Sequence, residues 1–171
     1  MGLDERYHKT FPITWEQLHR DCRALAWRLA DLRSWRKIIA IARGGLIPAA
    51  IIARELDVRY MDTVCVSSYN LREQGELQIL KQVEAFEEER SEEILLIDDL
   101  VDTGRTASLV RKMFPGAYFA TVYAKPDGRP LVDSFITEVS QDTWILFPWD
   151  AETKVHFVLP IAESRKDLEN P

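Results

Sequence analysis

The sequence predicts an α/β fold, a mostly parallel twisted sheet flanked by helices, built as a single domain. Short apolar runs, KIIAIA at 37–42, EILLID at 93–98 and AYFATVYA at 117–124, alternate with segments of helical periodicity. The runs are continuously apolar instead of alternating, the pattern of strands buried on both faces of a parallel sheet. At 171 residues the chain can build one substantial core but is short for two.

In chain order, Thr14 followed by Gln17 resembles a capping box, and Trp15, Leu18, Cys22, Leu25, Leu29 and Leu32 recur every three or four positions. That stripe predicts a helix over 14–32. KIIAIA is the first strand; ARGG interrupts it, and LIPAAIIAREL restores helical periodicity with Pro48 tolerated in the first turn. VRYMDTVCVSSY reads as a strand, and 70–80 as a polar, breaker-bearing segment. EILLID is a buried strand, TASLVRKMF a helix, AYFATVYA a strand, KPDGRP a turn and VHFVLP a last strand. The acidic run EAFEEERSEE, 84–93, reads as a solvated loop or helix end.

Composition narrows the function classes. Hydrophobic residues at 46% and charged ones at 29% fit a folded domain. A net charge of −6 offers no footprint for a phosphate backbone, so no nucleic-acid partner is expected. Cys22 and Cys65 form no CxxC pair, which argues against a disulfide framework or zinc site. No signal-peptide core or membrane-spanning run occurs, so a cytoplasmic location is expected, with peripheral attachment at the inner face of the cell membrane left open. His8, His19 and His156 show no metal-ligand spacing.

In open parallel sheets ligands bind beyond the carboxyl ends of the strands. After EILLID comes DLVDTGRT, where backbone N–H groups of residues 103–107 and the positive end of a helix beginning near Thr106 form an anion site. Gly104 permits a positive φ, and Thr103 and Thr106 add hydroxyl donors, although both threonines read equally well as plain N-caps. Neither a Walker A loop nor a dinucleotide fingerprint is present. Asp98 and Asp99 would repel a phosphate; beside one, they suit sugar hydroxyls or a hard cation such as Mg²⁺, held directly or through water. A second anion site follows from ARGG, where Arg43 brings forked donors and Gly44 and Gly45 allow close backbone approach. Two anion sites around an acidic pair ask for a sugar phosphorylated at both ends.

"ILLIDDLVDTGRTA" resembles the signature of the type I phosphoribosyltransferases, an apolar strand ending in two acids, then Asp, Thr, Gly and Thr. "IARGGLIPAAIIAREL", "DTVCVSSY", "AKPDGRPLVDSF" and "QDTWILFPWD" are most similar to the bacterial xanthine-guanine members of that family, from about 14 to 160. The resemblance implies the type I phosphoribosyltransferase fold with a small hood mainly from about 126–160 and a mobile loop at about 68–80. It implies 5-phosphoribosyl-1-pyrophosphate (PRPP) and a 6-oxopurine as substrates, Mg²⁺ as cofactor and a homo-oligomer, tetramer or dimer. Residue by residue, Arg43 and Gly44 would hold pyrophosphate; Asp98 and Asp99 would meet the ribose hydroxyls and Mg²⁺, Asp99 directly and Asp98 with a water-mediated contact as an open alternative. Asp102, Thr103, Gly104, Arg105 and Thr106 would cradle the 5′-phosphate. Lys125 would donate to the purine six-position oxygen, Trp144 would stack on its ring, and main-chain groups of Trp144 and Ile145 would read the two-position substituent.

A cis peptide between Ala42 and Arg43 is also implied. Asp102 is the expected general acid/base toward the purine, with an N-cap as its other reading, and Ser68 and Tyr69 open the expected lid. The chain departs from the family at Arg105, in a variable place of the phosphate loop, and at Gly75, where relatives carry a basic residue that Arg72 would have to replace. The function implied is purine salvage, converting guanine, xanthine and hypoxanthine to nucleoside 5′-monophosphates. Another base specificity of the hypoxanthine-guanine type, or a non-catalytic PRPP-sensing regulator, are the alternatives.

Overall fold

Each apolar run forms the element its period calls for, and the boundaries follow from where the pattern breaks. The structure is a computed structural model describing residues 7–68, 77–81, 83, 90–152 and 156–157. In order, the elements are β1 (Lys9–Pro12), α1 (Trp15–Ala30), β2 (Lys37–Ala42), α2 (Leu46–Glu55), β3 (Tyr60–Ser68), β4 (Leu77–Lys81) and β5 (Ile94–Val101). They continue with α3 (Arg105–Met113), β6 (Tyr118–Ala124), β7 (Ser134–Glu138), β8 (Thr143–Leu146), β9 (Ala151–Glu152) and β10 (His156–Phe157).

The expected cap at Thr14 forms, its Oγ1 accepting from the Gln17 N–H at 3.1 Å. Helix α1 stops at Ala30, two residues short of the expected end, and the stripe's outer members Trp15 and Leu32 are exposed. Leu18, Cys22, Leu25 and Leu29 are fully buried. KIIAIA matches β2 residue for residue, whereas β5 runs three residues past EILLID to Val101. Pairing of Asp98 with Thr121 and of Leu100 with Tyr123 on β6 carries the acidic pair into the sheet instead of leaving it in a loop.

Five strands of the main sheet are parallel, in the order β4-β3-β2-β5-β6-β7, and β4 is an antiparallel edge on β3. The segment at 70–80, read as polar and breaker-bearing, thus contributes β4 in its last residues; 69–76 lie outside the described residues, and with them Tyr69, Arg72 and Gly75. Strands β1, β7 and β8 were not expected, being four or five residues long without a clear apolar period. Of the last expected strand, VHFVLP, only His156 and Phe157 fall among the described residues; they pair antiparallel with β9.

The chain separates into two compact units. His19–Gln141 holds the six-stranded sheet with α2 and α3, and its core packs Ile39, Ile41, Val64, Leu96, Val110 and Phe119. Met1–Leu18 with Asp142–Pro171 holds the parallel β1·β8 pair and the β9·β10 pair, so residues 126–141 group with the sheet. Among the described residues no helix is long and apolar enough to cross a membrane.

Candidate active site

The order β3-β2-β5-β6 brings the carboxyl ends of four adjacent parallel strands to one edge. Sequence neighbours within each loop therefore become spatial neighbours between loops.

The loop after β2 is pinned by its glycines. A Cβ on Gly44 would collide with the Asp99 carboxylate, and one on Gly45 would strike the Ile97 and Ile41 carbonyls. The ARGG loop and the acidic pair are therefore in direct apposition. The Ala42–Arg43 peptide is cis, as the resemblance implies, and Arg43 is exposed. Asp98 and Asp99 are half-buried. Burial pushes the Asp98 carboxyl well above the usual carboxylate range, and the Asp99 charge adds to the push; the Asp99 N–H, donating to Asp98 Oδ1 at 2.9 Å, opposes it.

Such a repelling pair of neighbouring carboxylates fits a divalent cation. Among the described residues no group of three or more His, Cys, Asp or Glu could hold a metal. Two carboxylates nevertheless suit Mg²⁺, which takes one or two from the protein and completes its shell with water and substrate phosphates.

Beyond β5, Gly104 caps α3 in the left-handed region with φ +79. No side chain caps the helix, so neither Asp102, Thr103 nor Thr106 serves as its N-cap. The helix begins at Arg105, one residue earlier than expected, and turns the positive end of its dipole toward the loop. A Cβ on Gly104 would run into Leu131 of the KPDGRPL turn, so only glycine fits both the backbone angle and the space. Asp98, Asp102, Thr103, Gly104, Arg105 and Thr106 all line one open pocket of about 130 Å³. A helix terminus contributes roughly 0.3–1 kcal/mol toward an anion there.

Lys125 follows β6 and is 1% exposed, not the surface lysine its place at a strand end would suggest. Its Nζ lies 3.2 Å from Asp102 Oδ2. The other carboxylate oxygen, Oδ1, accepts from Gln141 Nε2 at 2.8 Å, and Gln141 Oε1 accepts from the Asp127 N–H at 3.1 Å. Gly128 closes the arrangement, since a Cβ there would come within 2.6 Å of the Asp102 carbonyl oxygen. Sequence reading missed Gln141 and Gly128: both lie in quoted stretches, but nothing local marks a glutamine before β8 as a partner of an acid 39 residues earlier.

Trp144 and Ile145 lie on β8, opposite Thr10 and Phe11 of β1. Ile145 is buried, and Tyr7 packs edge-on to the Trp144 ring at 5.0 Å. Ser68 ends β3, and Tyr69 lies outside the described residues.

Residues 14–156 match the family model of the phosphoribosyl transferase domain. The chain belongs to this family. Similar proteins include the xanthine-guanine phosphoribosyltransferase of Nitratidesulfovibrio vulgaris strain DP4, 62% identical over 162 residues, 94% of this chain and 96% of that one. That of Desulfotalea psychrophila is 60% identical over 160 residues, covering 93% and 96%. Among solved structures, a purine phosphoribosyltransferase from Pyrococcus horikoshii superposes with a TM-score of 0.73 at 27% identity, over 86% of this chain and 98% of that one. A Helicobacter pylori xanthine-guanine-hypoxanthine phosphoribosyltransferase shares the fold, with a TM-score of 0.70 at 18% identity over 95% and 99%. The fold expected from sequence, a mostly parallel sheet with flanking helices, is the fold of these phosphoribosyl transferases.

Proposed function

We propose that the protein is a purine salvage phosphoribosyltransferase of the xanthine-guanine type, joining guanine, xanthine or hypoxanthine to the phosphoribosyl group of PRPP and releasing pyrophosphate. The observation that carries this is the buried Lys125 ammonium 3.2 Å from Asp102, which lines the pocket at the start of α3. The names of relatives that are 60–62% identical support the same substrate class.

In this reading the α3 N–H groups with Thr103, Gly104, Arg105 and Thr106 hold the 5′-phosphate, and Arg43 with the Gly44 backbone holds the pyrophosphate. Asp98 and Asp99 meet the ribose hydroxyls and Mg²⁺, which when bound supplies positive charge to the departing pyrophosphate. Asp102 takes the proton that the purine five-membered ring loses as its nitrogen attacks the anomeric carbon. Lys125 donates to the six-position oxygen; an ammonium has only donors, so adenine's amino group meets a mismatch. Trp144 stacks on the base, Trp144 and Ile145 main-chain groups read the two-position, and the loop from Ser68 and Tyr69 excludes water. A homo-oligomer, tetramer or dimer, in the cytoplasm completes the proposal; Trp27, 68% exposed on α1, is apolar surface that association would cover.

The test is incubation with PRPP, Mg²⁺ and, separately, guanine, xanthine, hypoxanthine, adenine and uracil. Pyrophosphate release with the 6-oxopurines and not with adenine or uracil is expected. Release with none would sink the enzyme and leave a PRPP-sensing regulator; preference for hypoxanthine over xanthine would move the protein to the hypoxanthine-guanine type.

A further inference from the structure

The hydrogen bonds around Gln141 have only one consistent direction. Asp127 offers a backbone N–H, which can meet only the Gln141 carbonyl oxygen, at 3.1 Å. Were the amide turned over, its NH₂ would face that N–H donor to donor. The NH₂ end is therefore the one 2.8 Å from Asp102 Oδ1. A donor on Oδ1 and the Lys125 ammonium 3.2 Å from Oδ2 leave both oxygens of Asp102 acting as acceptors, the form of an ionised carboxylate. Since Asp127 belongs to the turn that begins at Lys125, one glutamine ties the acid to the backbone that carries its cation.

We infer that Gln141 is the positioning residue of this site: through its amide it holds Asp102 as a carboxylate aimed at the purine, so that Asp102 receives a proton and does not lend one before the nucleotide forms. The inference rests on the proposed reading of Asp102 as the group facing the base. Gln141 touches neither phosphate nor reacting carbon in that reading; its effect passes through Asp102.

The experiment compares Gln141→Glu, Gln141→Leu, Asp102→Asn and the double variant Asp102→Asn/Gln141→Glu, with guanine and PRPP as substrates. Gln141→Glu keeps an acceptor for the Asp127 N–H but sets a carboxylate against Asp102 where the amide donated, whereas Gln141→Leu removes both contacts without adding charge. The expected result is kcat at least tenfold lower in both Gln141 variants, with the KM for PRPP within about threefold of wild type. Adding Gln141→Glu to Asp102→Asn should cost less than threefold more, because no carboxylate remains to be held. Wild-type kcat in Gln141→Glu, or an undiminished loss in the Asp102→Asn background, overturns the inference while an impaired Asp102→Asn leaves the reading of Asp102 standing. Wild-type turnover in Asp102→Asn itself overturns that reading and the inference with it.

Discussion

Lys125 is 1% exposed, yet its ammonium is held by a carboxylate that is itself 30% exposed and lines the pocket. An ion pair in that setting is strongly oriented, and in the proposed reading it is the group that meets the purine. Replacing Lys125 by Ala removes a charged donor worth about 1.5–3 kcal/mol, so guanine kcat/KM should fall roughly ten- to a hundredfold. Adenine should be used no worse than before; steady-state kinetics with both bases checks this, and an unchanged guanine-to-adenine ratio would remove the contact. Asp102→Asn should lower turnover by about 10²–10⁴ while PRPP binding stays near wild type, read by single-turnover rates and by titration with PRPP alone. At this scale the motif residues Asp98, Asp99 and Asp102 through Thr106 were legible, because one strand–loop–helix stretch carries them all. Gln141 and Gly128 were not, because a hydrogen bond across 39 residues and a close approach to a carbonyl leave no local trace.

Between elements the decisive contacts are between loops of neighbouring strands. Gly44 belongs to the loop after β2, but the reason no side chain fits there is Asp99 on β5. Gly44→Ala should push the Asp99 carboxylate aside: kcat/KM for PRPP is expected to fall at least tenfold and stability by about 1–3 kcal/mol, the usual cost of overpacking. Kinetics at varied PRPP with a thermal melt measures both, and wild-type PRPP kinetics would show that the loop yields without disturbing Asp99. The helical stripe of α1 and the strand β2 were read correctly because burial and period agree. Strands β1, β7 and β8 were missed because four or five mixed residues have no period to detect, and pairing partners far along the chain stabilise them.

Across the main unit a buried polar contact joins the first helix to the sheet. Tyr123 on β6 donates to Asp21 Oδ2 at 2.7 Å, and Cys22 lies beside it, fully buried. Burial first, and the Asp21 charge second, push the Cys22 thiol up from 9.0 to about 12. Burial also raises Tyr123, with the hydrogen bond to Asp21 next. Both groups stay protonated in the fold while the unfolded chain ionises, so the Cys22 contribution is complete below pH 9 and is lost as pH rises from about 9 to 12, and that of Tyr123 is lost from its ordinary 10.0 upward. Between pH 9 and 10, below the ordinary tyrosine value of 10.0, Cys22 dominates the pair. Stability there should fall by up to about 1.4 kcal/mol per pH unit. Cys22→Ala is expected to flatten that slope in denaturant titrations at several pH values; an equal slope in the variant would assign the alkaline loss elsewhere.

The alternation of apolar runs with helical stripes, the two strand–loop–helix turns and the acidic pair between them were determined by the sequence alone. Each is written in consecutive residues, where period, glycine and charge act on their immediate neighbours. Which loops meet was decided only by the tertiary structure. Strand order sets Gly44 against Asp99, buries Lys125 against Asp102 and brings Gln141 back to both Asp102 and the Asp127 backbone. Parallel strands put their carboxyl ends together only through crossovers, so partners in space are separated in the chain by whole elements, and no local pattern records them.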